Sequence, residues 1–167
     1  PYTTLFRSVL LAGPDQDTVL ADVRSGSWQA ARRALVAREI GFAEFLAERD
    51  LVLRSDLLRP WAHWITPEFE PRRYDTYFFV AELPAAQETG LASGEADHQV
   101  WLSPAEALRR HAAGEIAMLP PTEVALRDLA EHRTVADVLA AAVDRDAVTP
   151  VMPRLEFAAD GTPRLVA

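Results

Sequence analysis

Cysteine is absent from the 167 residues of this chain. That excludes a disulfide framework, a thiolate metal site and a cysteine nucleophile, although it does not separate cytosol from periplasm. The four histidines, His63, His98, His111 and His132, have no partner at metal-ligand spacing, so no zinc centre is expected. Also missing are a glycine-rich phosphate loop, a G-x-S-x-G nucleophile elbow and any nucleic-acid signature. Serine-hydrolase and dinucleotide chemistry would leave those marks. Positive charge is scarce: 17 basic residues face 25 acidic ones, for a net charge of −8. Binding to nucleic acid or anionic lipid needs clustered cations, so neither partner is expected. No apolar run reaches membrane-spanning length and the first residues carry no signal-peptide pattern, which makes a cytoplasmic protein the expectation. There is no internal repeat, and the length fits one domain.

What the chain does have is concentrated between Leu58 and Leu83. This stretch holds two of the four Trp, two of the three Tyr and three of the seven Phe. Two apolar runs, Leu58 to Ile65 and Tyr74 to Leu83, suit strands. Between them, Pro67 and Pro71 cannot donate ladder hydrogen bonds and force a turn or wide loop, so the pair reads as a hairpin. Apolar and aromatic residues occupy both parities after Tyr74, which predicts a second strand covered on both faces. His63, between two Trp, reads as a hydrogen-bonded core residue. Arg72, Arg73, Asp75 and Glu70 crowd the turn, more charge than a plain core hairpin requires.

Around this hairpin the pattern is helical. Val9 to Ala12 is apolar and stops at Gly13-Pro14, as a short strand does. Ser27 is placed to cap a helix from Trp28 to about Glu39, with Trp28, Ala31 and Leu35 on its apolar face. Gly41 breaks it before a second short helix that buries Phe42, Phe45 and Leu46. Residues 84–96 form a polar loop. Ser103-Pro104-Ala-Glu106 is a capping box that starts a helix running to about Ala112 and stopped by Gly114. Pro120-Pro121 ends the next segment and Thr122 caps a helix; Thr134 caps another over Val135 to Val143. In the tail, Leu155 to Phe157 and Asp160-Gly161 signal a hairpin, and Pro163 confines its return strand to an edge.

The clusters Trp61-Ala-His-Trp-Ile-Thr-Pro67, Pro71-Arg-Arg-Tyr-Asp-Thr76 and Phe78-Phe79 resemble the middle of a Nudix hydrolase, in the branch similar to the peroxisomal coenzyme A diphosphatases. Glu95, Trp101-Leu-Ser-Pro-Ala-Glu-Ala107 and Leu119-Pro-Pro-Thr122 follow in that branch's order, so the resemblance spans roughly Val9 to His132. It implies an α/β fold of the Nudix type, an α/β/α sandwich with a mixed sheet. It also implies Mg2+- or Mn2+-dependent hydrolysis of a nucleoside diphosphate derivative, such as coenzyme A or an acyl-CoA. The family's metal-binding glutamates lie in the Nudix box, G-x5-E-x7-R-E-U-x-E-E-x-G-U with U aliphatic, and no copy occurs here. The nearest mimic, Arg38-Glu39-Ile-Gly-Phe-Ala-Glu44, has the wrong spacing. The expectation is therefore a chain that begins after its own catalytic helix, with the N-terminal half of the fold missing, no tightly bound metal and no activity. Pro1 to Ser8 match the translation of a common sequencing adapter and are expected to be a non-native tail. Residues 9–143 are then a partial Nudix domain with a helical insertion at 27–50, and 144–167 a tail.

Three residues are candidates for chemistry. Through the resemblance, Glu95, on the loop after the central strands, is the expected general base or extra metal ligand; a solvated loop carboxylate is the alternative. Arg72 and Arg73 can clamp a diphosphate, because guanidinium pairs bidentately with phosphate oxygens. Their alternative is an ion pair within the strand, Arg73 with Asp75, two residues apart on one face. A non-catalytic domain that binds a nucleotide or a partner is the rival to the enzyme.

Overall fold

The computed structural model describes residues 10–85, 87 and 100–166. The expected adapter-derived tail at Pro1 to Ser8 falls outside them, as does Glu95. The chain divides into two units, each assembled from two stretches: residues 1–58 with 82–101, and residues 59–81 with 102–167.

In the first unit, β1 (Ala12–Gly13) pairs antiparallel with β2 (Val52–Leu53). The chain turns after β1 because Asp15 Oδ1 accepts from the Asp17 and Thr18 N–H groups, and Leu20 N then donates back to Ala12 O at 2.9 Å. Those local bonds hold the Asp15 carboxyl below its ordinary range, the Asp17 N–H contributing most. Buried Arg54 closes the turn, donating to Thr18 O at 3.2 Å and bidentately to Asp56 at 2.9 Å. Helix α1 (Gly26–Val36) begins two residues before its expected start. Ser25 precedes it, and the Ser27 hydroxyl meets Ser25 Oγ at 3.0 Å instead of capping the helix. Helix α2 (Phe42–Glu48) follows. Phe45 is fully buried with Leu10, Ala12, Val23 and Ala31, and Trp28, Leu35 and Leu46 pack around them as their 3.6-residue spacing requires. Arg49 lies over both the Trp28 and Phe45 rings, at 5.1 and 4.9 Å.

Gln87 completes this unit. Its Oε1 accepts from Leu10 N at 2.9 Å, while Nε2 donates to Leu10 O at 2.9 Å and Leu20 O at 2.7 Å. One amide thus supplies both backbone groups of a fully buried residue, which β1 begins too late to serve.

The second unit is built on the hairpin of β3 (Arg59–Ile65) and β4 (Asp75–Val80). Pro60 is tolerated because the register shifts there: Pro60 opposes Phe79 and Ala62 opposes Phe78, leaving Trp61 as the extra residue. The bulge turns Trp61 into the core, where it is 1% exposed among Ala125, Ala142, Phe78, Val80, Leu129 and Val138. It also frees Trp61 O to accept from Arg145 Nε at 2.7 Å; the Arg145 guanidinium covers the indole at 4.2 Å and pairs with Asp128. Val151 joins the far side of β3 in parallel, donating to His63 O at 2.8 Å and accepting from Ile65 N at 3.0 Å. That contact is a single isolated bridge: the sheets among the described residues are two-stranded and antiparallel, not the mixed sheet expected.

Three helices follow the hairpin. Helix α3 (Pro104–Ala112) is capped by Ser103 Oγ and ends at Gly114, whose φ is +72°. The expected reciprocal bond from Glu106 does not form, because Arg109 and Arg110 take its carboxylate at 2.7 and 2.8 Å. Those two guanidiniums, Arg109 foremost, pull Glu106 down to about 2. Helix α4 (Pro120–Ala130) corrects the reading of Pro120-Pro121: the two prolines open the helix in its first turn, where no N–H is needed, and Leu119 rather than Thr122 precedes it. Helix α5 (Val135–Ala141) has the full capping box of Thr134 and Asp137. The tail forms the hairpin of β5 (Arg154–Phe157) and β6 (Pro163–Val166), turning through Asp160 and Gly161 at φ +81°.

The expected burial of β4 on both faces fails as well. β4 is covered on one face only, where Phe78 and Val80 meet the helices. On the other face Tyr77 is 48% exposed and Phe79 50%.

Candidate functional site

The open face of β4 and the turn that leads into it bring together most of the polar residues singled out in the sequence. The turn is closed by Thr66, whose N–H donates to Tyr74 O at 2.9 Å and whose hydroxyl accepts from Tyr74 N at 3.0 Å. Pro67 and Pro71 lie inside it, where missing N–H groups cost no ladder bond. Glu68 and Glu70 are solvent-exposed.

Arg73 donates through Nε to Thr66 O at 3.0 Å and reaches Met152 Sδ with Nη2 at 3.5 Å. Neither bond is to a carboxylate, so the side chain is oriented with no acidic partner among the described residues. Arg72 is exposed and has no hydrogen bond or ion pair among the described residues. The alternative of an Arg73–Asp75 pair does not form.

Asp75 pairs instead with His63. The imidazole Nε2 lies 2.6 Å from Asp75 Oδ1, and Nδ1 lies 2.9 Å from Val148 O. The Val148 carbonyl can only accept, so Nδ1 carries a proton and donates to it, while Nε2 shares the second bond with Asp75 Oδ1. The Val148 carbonyl is the main cause of a His63 pKa raised above 6.5; Asp75 adds to it against the opposing effect of burial. Position in the hairpin explains the pairing. His63 stands opposite Tyr77, which places Asp75 diagonally across on the same face. Tyr77 stacks on the imidazole at 3.9 Å with 13° between planes. The core role expected for His63 holds, while its partner was missed because only the register reveals it.

Chemically, this face and its turn offer two exposed guanidiniums, a hydrogen-bonded His–Asp pair and a row of rings. It offers no metal cage. Among the described residues no group of three or more His, Asp or Glu side chains could hold an ion. The Nudix-box mimic is spent on structure: Arg38 sits in a left-handed turn at φ 60°, and the Glu44 carboxylate accepts from Gly41 N at 3.3 Å. His111 faces Glu123 at 3.8 Å and Ile116 O at 3.1 Å, a structural position between α3 and α4. No helix among the described residues is long and apolar enough to cross a membrane.

No protein-family model matches the chain. Among solved structures it is similar to a NUDIX hydrolase from Alicyclobacillus acidocaldarius, with a TM-score of 0.67 and 23% identity over 80% of this chain. The chain spans 60% of the length of that protein. At this identity the likeness speaks for architecture, and the architecture is a Nudix-like α/β fold.

Proposed function

We propose that this chain is the substrate-positioning part of a Nudix-type hydrolase that cleaves a nucleoside diphosphate derivative, with coenzyme A or an acyl-CoA as the favoured substrate. The observation that carries this reading is the pair Arg72 and Arg73, cations with no acidic partner among the described residues, at the mouth of a hairpin that resembles the Nudix hydrolases in sequence and in fold. Arg73 is oriented through Nε and Nη2, and Nη1 has no partner among the described residues, ready for a phosphate oxygen.

The divalent metal of such chemistry neutralises the diphosphate and activates water. The described residues do not fit that ion, so the reading assigns metal binding to a Nudix box outside this sequence. Glu95 is the proposed general base. The chain as written is then inactive.

Three experiments test the reading. Genomic DNA upstream of the Val9 codon should encode an in-frame R-E-x-x-E-E-x-G segment; its absence would sink the proposal. In the protein carrying that segment, Glu95→Gln should lower kcat on the order of 10²- to 10⁴-fold with KM little changed. Arg73→Lys should mainly raise KM, because charge survives and the bidentate fork is lost. Chelator-sensitive turnover by the present chain alone would show that the metal site is not where the reading places it.

A further inference from the structure

We propose that the open face of β4 is a stacking platform for the base of the nucleotide whose phosphates Arg72 and Arg73 receive. This rests on the diphosphate reading above and extends it to the other end of the substrate.

Strand alternation sends Phe78 and Val80 to the helices and leaves Asp75, Tyr77 and Phe79 on the opposite face. There, His63, Tyr77 and Phe79 form a row of rings. Tyr77 lies 3.9 Å from His63 with 13° between planes, and Phe79 lies 6.4 Å from Tyr77 with 29° between planes. Tyr77 and Phe79 are each about half exposed. Sheet-borne aromatics of this kind accept any base, because every base has a π face. The row also differs from a plain apolar patch: its buried end is an imidazole fixed by hydrogen bonds on both ring nitrogens.

Charge selects the occupant. The two cations precede the rings on the same strand path, and Arg73 lies four residues before Tyr77, at most about 13 Å along an extended chain. A ribose and a diphosphate bridge that separation. Asp75 stands between them, with Oδ1 turned to His63 by their hydrogen bond. Two guanidiniums on a chain of net charge −8 suit one nucleotide and not a polymer, whose backbone needs a track of cations.

The test uses the full chain with ADP, adenosine and inorganic diphosphate as probes, by calorimetry and by NMR saturation transfer. ADP should bind more tightly than diphosphate, and irradiation of Tyr and Phe ring protons should reach adenine H2 and H8. Tyr77→Ala should weaken ADP about 5- to 150-fold, the range for losing one stacked base, and leave diphosphate unchanged. Tyr77→Phe should keep ADP affinity, and Phe79→Leu should reduce it. If Tyr77→Ala fails to fold, the saturation transfer in the unaltered chain and the Tyr77→Phe and Phe79→Leu pair still decide. Diphosphate binding that Arg73→Lys weakens, with ADP no tighter and adenine protons untouched, overturns the platform and spares the diphosphate reading. Failure of every phosphate probe to bind overturns both. A concentration-dependent dimer that broadens the Tyr77 and Phe79 signals, with no adenine contact, gives the face to a second copy and likewise overturns the platform.

Discussion

Replacing Gln87 by Leu isolates the contribution of one amide. The substitution keeps the side chain close in size and removes all three of its hydrogen bonds, to Leu10 N, Leu10 O and Leu20 O. Leu10 is 1% exposed, so its N–H and C=O cannot turn to water, whereas Leu20 is only partly buried and can. Each orphaned buried group costs about 1–3 kcal/mol, so the two at Leu10 together cost about 2–6 kcal/mol. A buried Leu side chain recovers about 1.5–3 kcal/mol through the hydrophobic effect, leaving a net loss centred on about 2 kcal/mol. That is a large share of the ~5–15 kcal/mol by which a domain is stable. Urea unfolding of parent and variant reads the loss as a lower midpoint at unchanged slope. Amide hydrogen exchange localises it, because Leu10 N–H should lose protection more than the amides of α4. A stability change below about 0.5 kcal/mol, the range of ordinary surface substitutions, with Leu10 protection intact would refute the reasoning.

Arg145→Met should destabilise the second unit by about 1–3 kcal/mol, since the bond to Trp61 O, the contact with the indole and the pair with Asp128 go together; chemical denaturation checks it, and Arg145→Lys should recover only part of the loss. Because the folded-state pKa of His63 is raised, its contribution to stability is complete below 6.5 and fades as pH rises through the folded value. Thermal melts from pH 6 upward should therefore decline more steeply for the parent than for His63→Gln, and parallel curves would refute this. Glu106 has the opposite sense: its contribution is present above 4.5 and is lost as pH falls towards about 2, so Glu106→Gln should flatten the acid limb of the melting curve. Gly13→Ala places a Cβ against the Thr18 carbonyl, which Arg54 and the Asp15 turn hold in place, and should cost about 1–3 kcal/mol in urea unfolding.

Much of the secondary structure was legible because its signals are local. Ser103, Gly114, Thr134 and Asp160-Gly161 each work within four residues, and each stands where the sequence placed it. Where two local signals compete, the sequence misleads. Pro120-Pro121 can end one segment or open the next, and Glu106 can cap a helix or meet Arg109 and Arg110. Partnerships over distance were not legible. Asp75 could pair with Arg73 by strand alternation and pairs with His63 by hairpin register. Nothing local marks Gln87 as the partner of Leu10, or Arg145 as the partner of Trp61. Of the site, the turn and its two arginines were readable as a charge excess. The exposure of Tyr77 and Phe79 was not, since apolar residues at both parities read as burial on both sides.

The interleaving of the two units has a consequence for synthesis. The first unit needs residues from both ends of 1–58 and 82–101, and the hairpin of the second is translated between them. Leu10 leaves the ribosome 77 residues ahead of the amide that satisfies it. Trp61 precedes Arg145 by 84 residues, and His63 precedes Val148 by 85. Neither unit can close in the order in which it is made. Apolar segments of both must wait, uncovered, until most of the chain has emerged, and a nascent chain stalled before Arg145 would present Trp61 to a chaperone and not to its own core.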